Sequence, residues 1–105
     1  MVADGWVFVA GTTGYDYDTM SMPAAVGDQC VNALKSIEKA LVEAGSSLDQ
    51  VVRARYILPN GDDFEACWPH LRTAFDIARP AATMIVAGLL DPKMKIEIEV
   101  TARFS

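Results

Sequence analysis

The segment at residues 95–104, KIEIEVTARF, constrains the fold more than any other part of the chain. Its apolar side chains recur at every second position, which is the period of a β-strand that buries one face. Ile96 and Ile98 share that face, whereas Glu97 and Glu99 share the opposite one. We therefore predict a sheet whose apolar face packs against helices.

Two amphipathic segments predict those helices. Across residues 24–44 the apolar side chains recur every three or four positions, and Gly45 follows where a left-handed residue would end a helix. Residues 64–75 carry a second stripe of this kind, which Pro69 interrupts. Pro69 predicts either a kink in this helix or a new helix start at a first-turn position.

Three further apolar runs predict the other strands. Residues 6–10, 51–58 and 83–87 are rich in β-branched and aromatic side chains and are bounded by turn-forming residues. The stretch at 12–23 predicts a loop or a short return strand. The order is β(β)αβαββ, which predicts an α+β fold in a single domain over residues 1–105, with two helices on one face of a mixed sheet.

The strand-like runs WVFVA and TMIVA are apolar on both faces. Two helices cover only one face of such a sheet, so the second face needs another cover. In a chain of 105 residues, further copies of the same chain are the expected cover. Arg53 and Arg55 fall on that second face with the same period as Glu97 and Glu99. They predict either ion pairs between strands or subunits, or a polar pocket inside an assembly.

Composition argues against several classes of function. A net charge of −5 without a basic run gives no face for nucleic acid, and no apolar run reaches the length of a transmembrane helix. His70 has no second histidine or cysteine at ligand spacing, so we expect neither a metal nor a cofactor. Cys30 and Cys67 are too few for a disulfide framework, which predicts reduced thiols and a cytoplasmic protein.

The chain also resembles a known family. The segments that carry the resemblance are WVFVAG near the start, KALVEAGSSLDQVVRARYIL in the middle, and RPAATMIVAGL with DPKMKIEIEVTA at the end. In this element order they are similar to the RidA family, also called YjgF-type or endoribonuclease L-PSP-like, over about residues 4–103. The resemblance implies a chorismate-mutase-like fold and a homotrimer with small-molecule sites in clefts between subunits.

For active members the resemblance implies hydrolysis of reactive enamines and imines. Water attacks the imine carbon, ammonia leaves and a 2-keto acid results. The family glutamate that positions water falls on Glu97, and the glycine whose backbone helps to hold the ligand falls on Gly11, followed by Thr12. The arginine that clamps the substrate carboxylate falls on Ala82, with Met84 two residues further on the same strand face.

Ala82 therefore predicts a cleft without the family's carboxylate anchor. A guanidinium–carboxylate pair contributes about 1.5–3 kcal/mol, so we expect poor deamination of 2-imino acids. Arg53, Arg55 and Arg103 are the candidates to supply the charge from a neighbouring strand or subunit. Arg79 lies three residues before Ala82, an odd offset that predicts the opposite strand face.

Two functions remain open at this point. One is a hydrolase of a small imine, enamine or related carbon–nitrogen substrate, in which Glu97 holds water; the other is a metabolite-binding or regulatory trimer without turnover. Ribonuclease activity or translation inhibition is disfavoured, because one histidine and a net charge of −5 supply neither paired acid–base groups nor a basic track. The resemblance implies a pocket tyrosine in a segment before the matched residues 4–103. Four side chains of the loop region are expected either to line the cleft or to cap a loop: Thr12, Thr13, Tyr15 and Tyr17.

Overall fold

Five strands form one mixed sheet in the computed structural model of the chain, which describes residues 1–104. The elements in chain order are β1 (Val2–Ala3), β2 (Trp6–Thr13), α1 (Val26–Glu43), β3 (Val51–Leu58), α2 (Phe64–Ala74), β4 (Ala81–Val86) and β5 (Glu97–Arg103). The strand order is β1-β2-β5-β3-β4, with β3 and β4 parallel and the other neighbours antiparallel. The predicted α+β class with two helices is confirmed.

The hydrophobic core lies between the two helices and one face of the sheet. Ile98, Val100 and Ala102 of β5 are buried there, as the alternation of the last segment predicted. The helices meet them with fully buried apolar side chains: Cys30, Ala33, Ile37 and Leu41 of α1, and Cys67 and Leu71 of α2. Burial of each large aliphatic side chain contributes about 1.5–3 kcal/mol, so this interface fixes the helices on the sheet.

The start of the chain differs from the prediction. An additional strand, β1, precedes the first predicted strand and pairs with β2 through Val2↔Val7 and Ala3↔Trp6. Asp4 and Gly5 connect the two strands with φ values of 52° and 85°. Asp-Gly in this left-handed geometry is a preferred two-residue hairpin turn, because its twist matches that of the strands.

Strand β2 is longer than predicted and continues to Thr13. The residues that follow form a loop, the first of the two predicted alternatives, closed by the Asp16 N–H donating to the Ser21 carbonyl at 2.7 Å. Helix α2 runs without a break through Pro69, so a new helix start there is wrong. At the sixth position of the helix, proline removes one intrahelical N–H without ending the element.

The face of the sheet opposite the helices is uncovered in the single chain. Trp6 and Phe8 of β2 lie on it with 40% and 42% of their surface exposed. Arg55 and Glu99 also lie on it and form an ion pair, with Nη1 3.2 Å from Oε1. This pair is the cross-strand interaction that the sequence allowed, and its exposure limits its contribution to about 0–1 kcal/mol. Among residues 1–104, no helix is long and apolar enough to cross a membrane.

Candidate functional site

A bulge in β2 brings the backbone of Gly11 against Glu97. Strands β2 and β5 pair as Val9↔Val100 and then as Thr12↔Ile98, so two residues of β2 lie opposite one residue of β5. A bulge of this kind re-aims the chain and leaves backbone groups outside the regular ladder. A Cβ built on Gly11 would overlap with the Glu97 carboxylate, so a larger residue there would have to push this side chain aside.

Glu97 is a half-buried carboxylate at the start of β5. Within residues 1–104 its oxygens take part in no hydrogen bond and no ion pair. A carboxylate in this state retains all its acceptor positions for a water or a donor group of a ligand. The structure thus brings together two of the residues singled out from the sequence, Gly11 and Glu97.

Thr12 does not join this pair through its side chain. Its Cα lies opposite that of Ile98, which places its side chain on the helix face rather than on the face of Glu97. Its hydroxyl donates a hydrogen bond of 2.9 Å to the Ala10 carbonyl within the bulge. The role that the structure supports for Thr12 is to stabilise the bulge at Gly11.

Arg53 and Arg55 share the face of Glu97, as predicted from the strand period. Arg53 lies opposite Thr101, and Arg55 lies opposite Glu99. Glu99 follows Glu97 by two residues and shares its face of the sheet. Arg55 is engaged by Glu99, and its Nε is buried with no hydrogen-bond partner in the part of the chain that is described. Arg53 is exposed. Both arginines line a surface hollow of about 350 Å³ that Phe8 also borders.

Ala82 and Met84 lie on the other side of the sheet. Ala82 is opposite Ala54 and Met84 is opposite Tyr56, both of which point into the helix-covered face. From the strand spacing and the rise per residue, the Cα atoms of Ala82 and Glu97 are about 14 Å apart. Within one chain, therefore, Glu97 and Ala82 do not face the same ligand.

Ala82 and Met84 line a cavity of about 620 Å³ beside the edge strand β4. Four aromatic side chains line it: Tyr56, Phe64, Trp68 and Phe75. Phe64 is central to this wall, with ring centroids 6.1 Å from Tyr56 and 6.0 Å from Trp68. Burial raises the pKa of Tyr56 to about 12, so its phenol is neutral at physiological pH.

Arg79 lines the same cavity as Ala82, so the prediction that it points away from Ala82 is wrong. The prediction applied strand alternation, but β4 begins only at Ala81. Arg79 precedes the strand and has a φ of 44°, which redirects its side chain towards α2. The aromatic stripe of α2 is the sequence signal for this cavity. Its period alone indicates only that the helix packs against the core.

The loop that follows β2 carries two tyrosines that line neither the hollow beside Arg53 nor the cavity beside β4. The rings of Tyr15 and Tyr17 pack edge to face, with centroids 4.9 Å apart, on a loop above α1. They border a hollow of about 500 Å³ with Lys35 and Lys39. Tyr15 follows Thr13, the residue that pairs with Glu97, by two positions. Among residues 1–104, no cluster of three or more histidine, cysteine or acidic side chains has the arrangement of a metal site.

Comparison with known proteins gives consistent matches along nearly the whole chain. The family model described as endoribonuclease L-PSP matches residues 1–104. The chain is 32% identical over 103 residues to the RutC family protein UK114 of Drosophila melanogaster, covering 97% of this chain and 75% of that protein. It is 27% identical over 103 residues to the 2-iminobutanoate/2-iminopropanoate deaminase of Rattus norvegicus, with coverage of 97% and 75%.

A solved structure agrees with these matches. The crystal structure of a member of the YjgF/YER057c/UK114 family from Mycobacterium tuberculosis superposes with a TM-score of 0.85 at 31% sequence identity. The superposition covers 97% of this chain and 81% of that one. Fold and sequence thus point to the same group of proteins.

Proposed function

Since this chain belongs to the endoribonuclease L-PSP family, which is the RidA or YjgF-type family, we propose that it is a cytoplasmic homotrimer that binds a small molecule between subunits. The reaction it supports best is hydrolysis of a small imine, enamine or related carbon–nitrogen bond. The observation that carries this proposal is the unpartnered carboxylate of Glu97 against the bulged backbone at Gly11.

The proposed chemistry needs a positioned water and an electrophilic carbon. Glu97 accepts a hydrogen bond from water and directs its oxygen at the C=N carbon, while the proton passes to nitrogen. The hydroxyl of the resulting carbinolamine then gives its proton to nitrogen as the C–N bond breaks, which releases ammonia and leaves a carbonyl product. The backbone groups that the bulge at Gly11 leaves outside the ladder are the proposed hydrogen-bond partners of the ligand.

The two faces of the sheet support an intersubunit location for this site. Glu97 and Ala82 lie on opposite faces, so a ligand that spans both positions requires two chains. The exposed Trp6 and Phe8 offer the apolar surface that such a contact buries. The rat relative is named for deamination of 2-imino acids, which supports the carbon–nitrogen reaction class.

Ala82 is the reason to propose weak activity towards 2-imino acids. A methyl group neither donates a hydrogen bond nor carries charge, so the substrate carboxylate has no anchor at this position. Loss of a bidentate guanidinium pair lowers binding by about 10- to 150-fold. Arg53 and Arg55 remain on the Glu97 face as possible substitutes, and Arg55 would first have to leave Glu99.

A coupled assay tests this proposal. 2-Aminoacrylate is generated in situ and its conversion to pyruvate is followed for wild type, Ala82→Arg, and Ala82→Arg combined with Glu97→Gln. We expect wild type to exceed buffer barely, Ala82→Arg to gain turnover, and the double variant to lose that gain. Robust wild-type turnover that Glu97→Ala abolishes would contradict the role given to Ala82.

A metabolite-binding trimer without turnover is the second candidate. The observation that favours it is the same exchange of a charged anchor for Ala82, which removes affinity for the reactive substrate but leaves the cleft in place. Its signature is a small molecule that raises the melting temperature of wild type but not of Glu97→Gln, with no product formed by either protein.

A further inference from the structure

The cavity beside β4 combines apolar walls with positive charge. Its volume of about 620 Å³ lies within the range of small-molecule sites. Arg72 of α2 and Arg79 both border it. Asp76 borders it as well, but it forms no ion pair with either arginine.

Arg79 is held in a costly backbone conformation. Its φ of 44° lies in the left-handed region, which non-glycine residues seldom adopt, and Pro80 follows it. Two hydrogen bonds keep it there: its backbone N–H donates to the Phe75 carbonyl at 2.9 Å, and its Nε donates to the Asp76 carbonyl at 3.0 Å. Strain of this kind persists where the surroundings impose it, and it occurs often at ligand sites.

The Nε hydrogen bond determines which part of Arg79 is available. With Nε fixed on the Asp76 carbonyl, both Nη atoms have no partner within the described residues 1–104. The guanidinium of Arg72 is likewise without a hydrogen bond or ion pair there. Each of these two guanidinium groups presents the planar fork that pairs with a carboxylate in bidentate geometry.

The rest of the cavity is suited to a flat apolar group. Phe64 and Trp68 present ring surfaces, and Trp68 keeps 51% of its surface exposed. Met84 closes the wall on the strand side with an adaptable side chain. Ala82 leaves open the space that a longer side chain would take.

We propose that this cavity binds an aromatic carboxylic acid, whose carboxylate pairs with Arg79 and Arg72 and whose ring packs on Phe64 and Trp68. This inference rests on the proposed function, because Ala82 lines the same cavity and belongs to the proposed cleft. It assigns to Arg79 the anchoring role for which Ala82 is unsuited, and it makes the preferred ligand larger than a small imino acid. Arg79 and Arg72 are then specificity-determining residues.

Calorimetry with two isosteric probes tests the inference. Phenylacetate carries the carboxylate, and phenylacetamide has the same shape without the charge. We expect wild type to bind phenylacetate at least tenfold more tightly than phenylacetamide. We expect Arg79→Gln to weaken phenylacetate binding at least tenfold and to leave phenylacetamide unchanged. Lys93→Gln, which also removes one positive charge at an exposed position that does not line the cavity, is expected to alter neither affinity.

Two further variants make the test robust. Arg72→Gln is expected to weaken phenylacetate selectively, and Trp68→Ala is expected to weaken both probes in parallel. Equal affinities of wild type for the two probes, absence of heat from either probe at millimolar concentration, or equal effects of Arg79→Gln and Lys93→Gln would each overturn the inference.

The same proteins separate this inference from the proposed function. Selective, Arg79-dependent binding of phenylacetate together with an inactive Ala82→Arg variant would refute only the proposed turnover. Turnover by Ala82→Arg without selective phenylacetate binding to wild type would refute only the aromatic acid site.

Discussion

At the scale of single residues, two backbone positions determine the chemistry around them. Gly11 allows the bulge of β2 to touch the Glu97 carboxylate, because any Cβ there would overlap with it. Arg79 lines the cavity beside β4 with its backbone in the left-handed region. Neither property follows from the type of side chain alone, since each depends on the path of the chain.

Gly11→Ala is expected to lower the free energy of unfolding by about 1–3 kcal/mol, because either Glu97 or the bulge must move to make room. Urea denaturation measures this change. Gly88→Ala is the matched control, since a Cβ at Gly88 meets nothing within 4 Å, and a change within about 0.5 kcal/mol is expected. Equal stabilities of the two variants would show that Gly11 and Glu97 are not in close contact.

Arg79→Gly is expected to destabilise the fold less than Arg72→Gly. Glycine relieves left-handed strain of about 1–2 kcal/mol at position 79, which offsets the lost hydrogen bond of about 0.5–1.5 kcal/mol. At position 72, inside α2, glycine costs about 1 kcal/mol in helix propensity. Chemical denaturation of both variants checks the order. A larger loss for Arg79→Gly would mean that its backbone is not strained.

At the scale of elements, the pattern of hydrophobic residues predicts what lies inside an element better than what happens at its ends. Strand β3 has the predicted bounds, Val51–Leu58, because turn residues flank a continuous apolar run. The β2 bulge and the hairpin to β1 were missed, since both depend on glycine at positions where pairing changes. Periodicity carries no information about such changes of register.

The sequence likewise predicts only part of the candidate site. Glu97 and Gly11 were found through the resemblance, and β2–β5 pairing places them together. The cavity beside β4 was not found, because the stripe on α2 has the same period whether it meets the sheet or overhangs its edge. Phe75 is buried and Trp68 is half exposed, although both belong to that stripe.

The buried phenol of Tyr56, on β3 under the helices, predicts that the stability of the fold depends on pH. Burial raises the pKa of Tyr56 from 10.0 to about 12 in the folded state. The unfolded chain therefore loses this proton first, and stability present below pH 10 is lost as the pH rises towards 12. Two pKa units correspond to about 2–3 kcal/mol. Tyr56→Phe is expected to remove this part of the alkaline loss in urea titrations; an unchanged profile would contradict it.

At the scale of the whole molecule, the uncovered sheet face is the dominant feature. Trp6 and Phe8 lie on it beside the Arg55–Glu99 pair, and the helices cannot reach it. A chain of this size buries only about two-thirds of its unfolded surface when it folds alone. Assembly through this face would remove the exposed apolar surface from water.

Light scattering is expected to give the mass of three chains at micromolar concentration. Phe8→Asp is expected to lower that mass, because a buried unpaired charge at the interface opposes association. Val42→Asp, a similar change at an exposed position of α1, is expected to leave the mass unchanged. A monomer mass for wild type would contradict the trimer.

Strand β4 bonds to β3 on one side only, and its sequence AATMIV carries no charge and no proline. A free edge with this composition offers unpaired N–H and C=O groups to any extended chain, including the same strand of another molecule. Native proteins often protect such an edge with lysine or proline, which are lacking within β4. The resistance of this protein to aggregation therefore depends on what covers the edge of β4. Thr83→Lys would place a charge on this edge, and it is the simplest change expected to keep a dissociated subunit from aggregating.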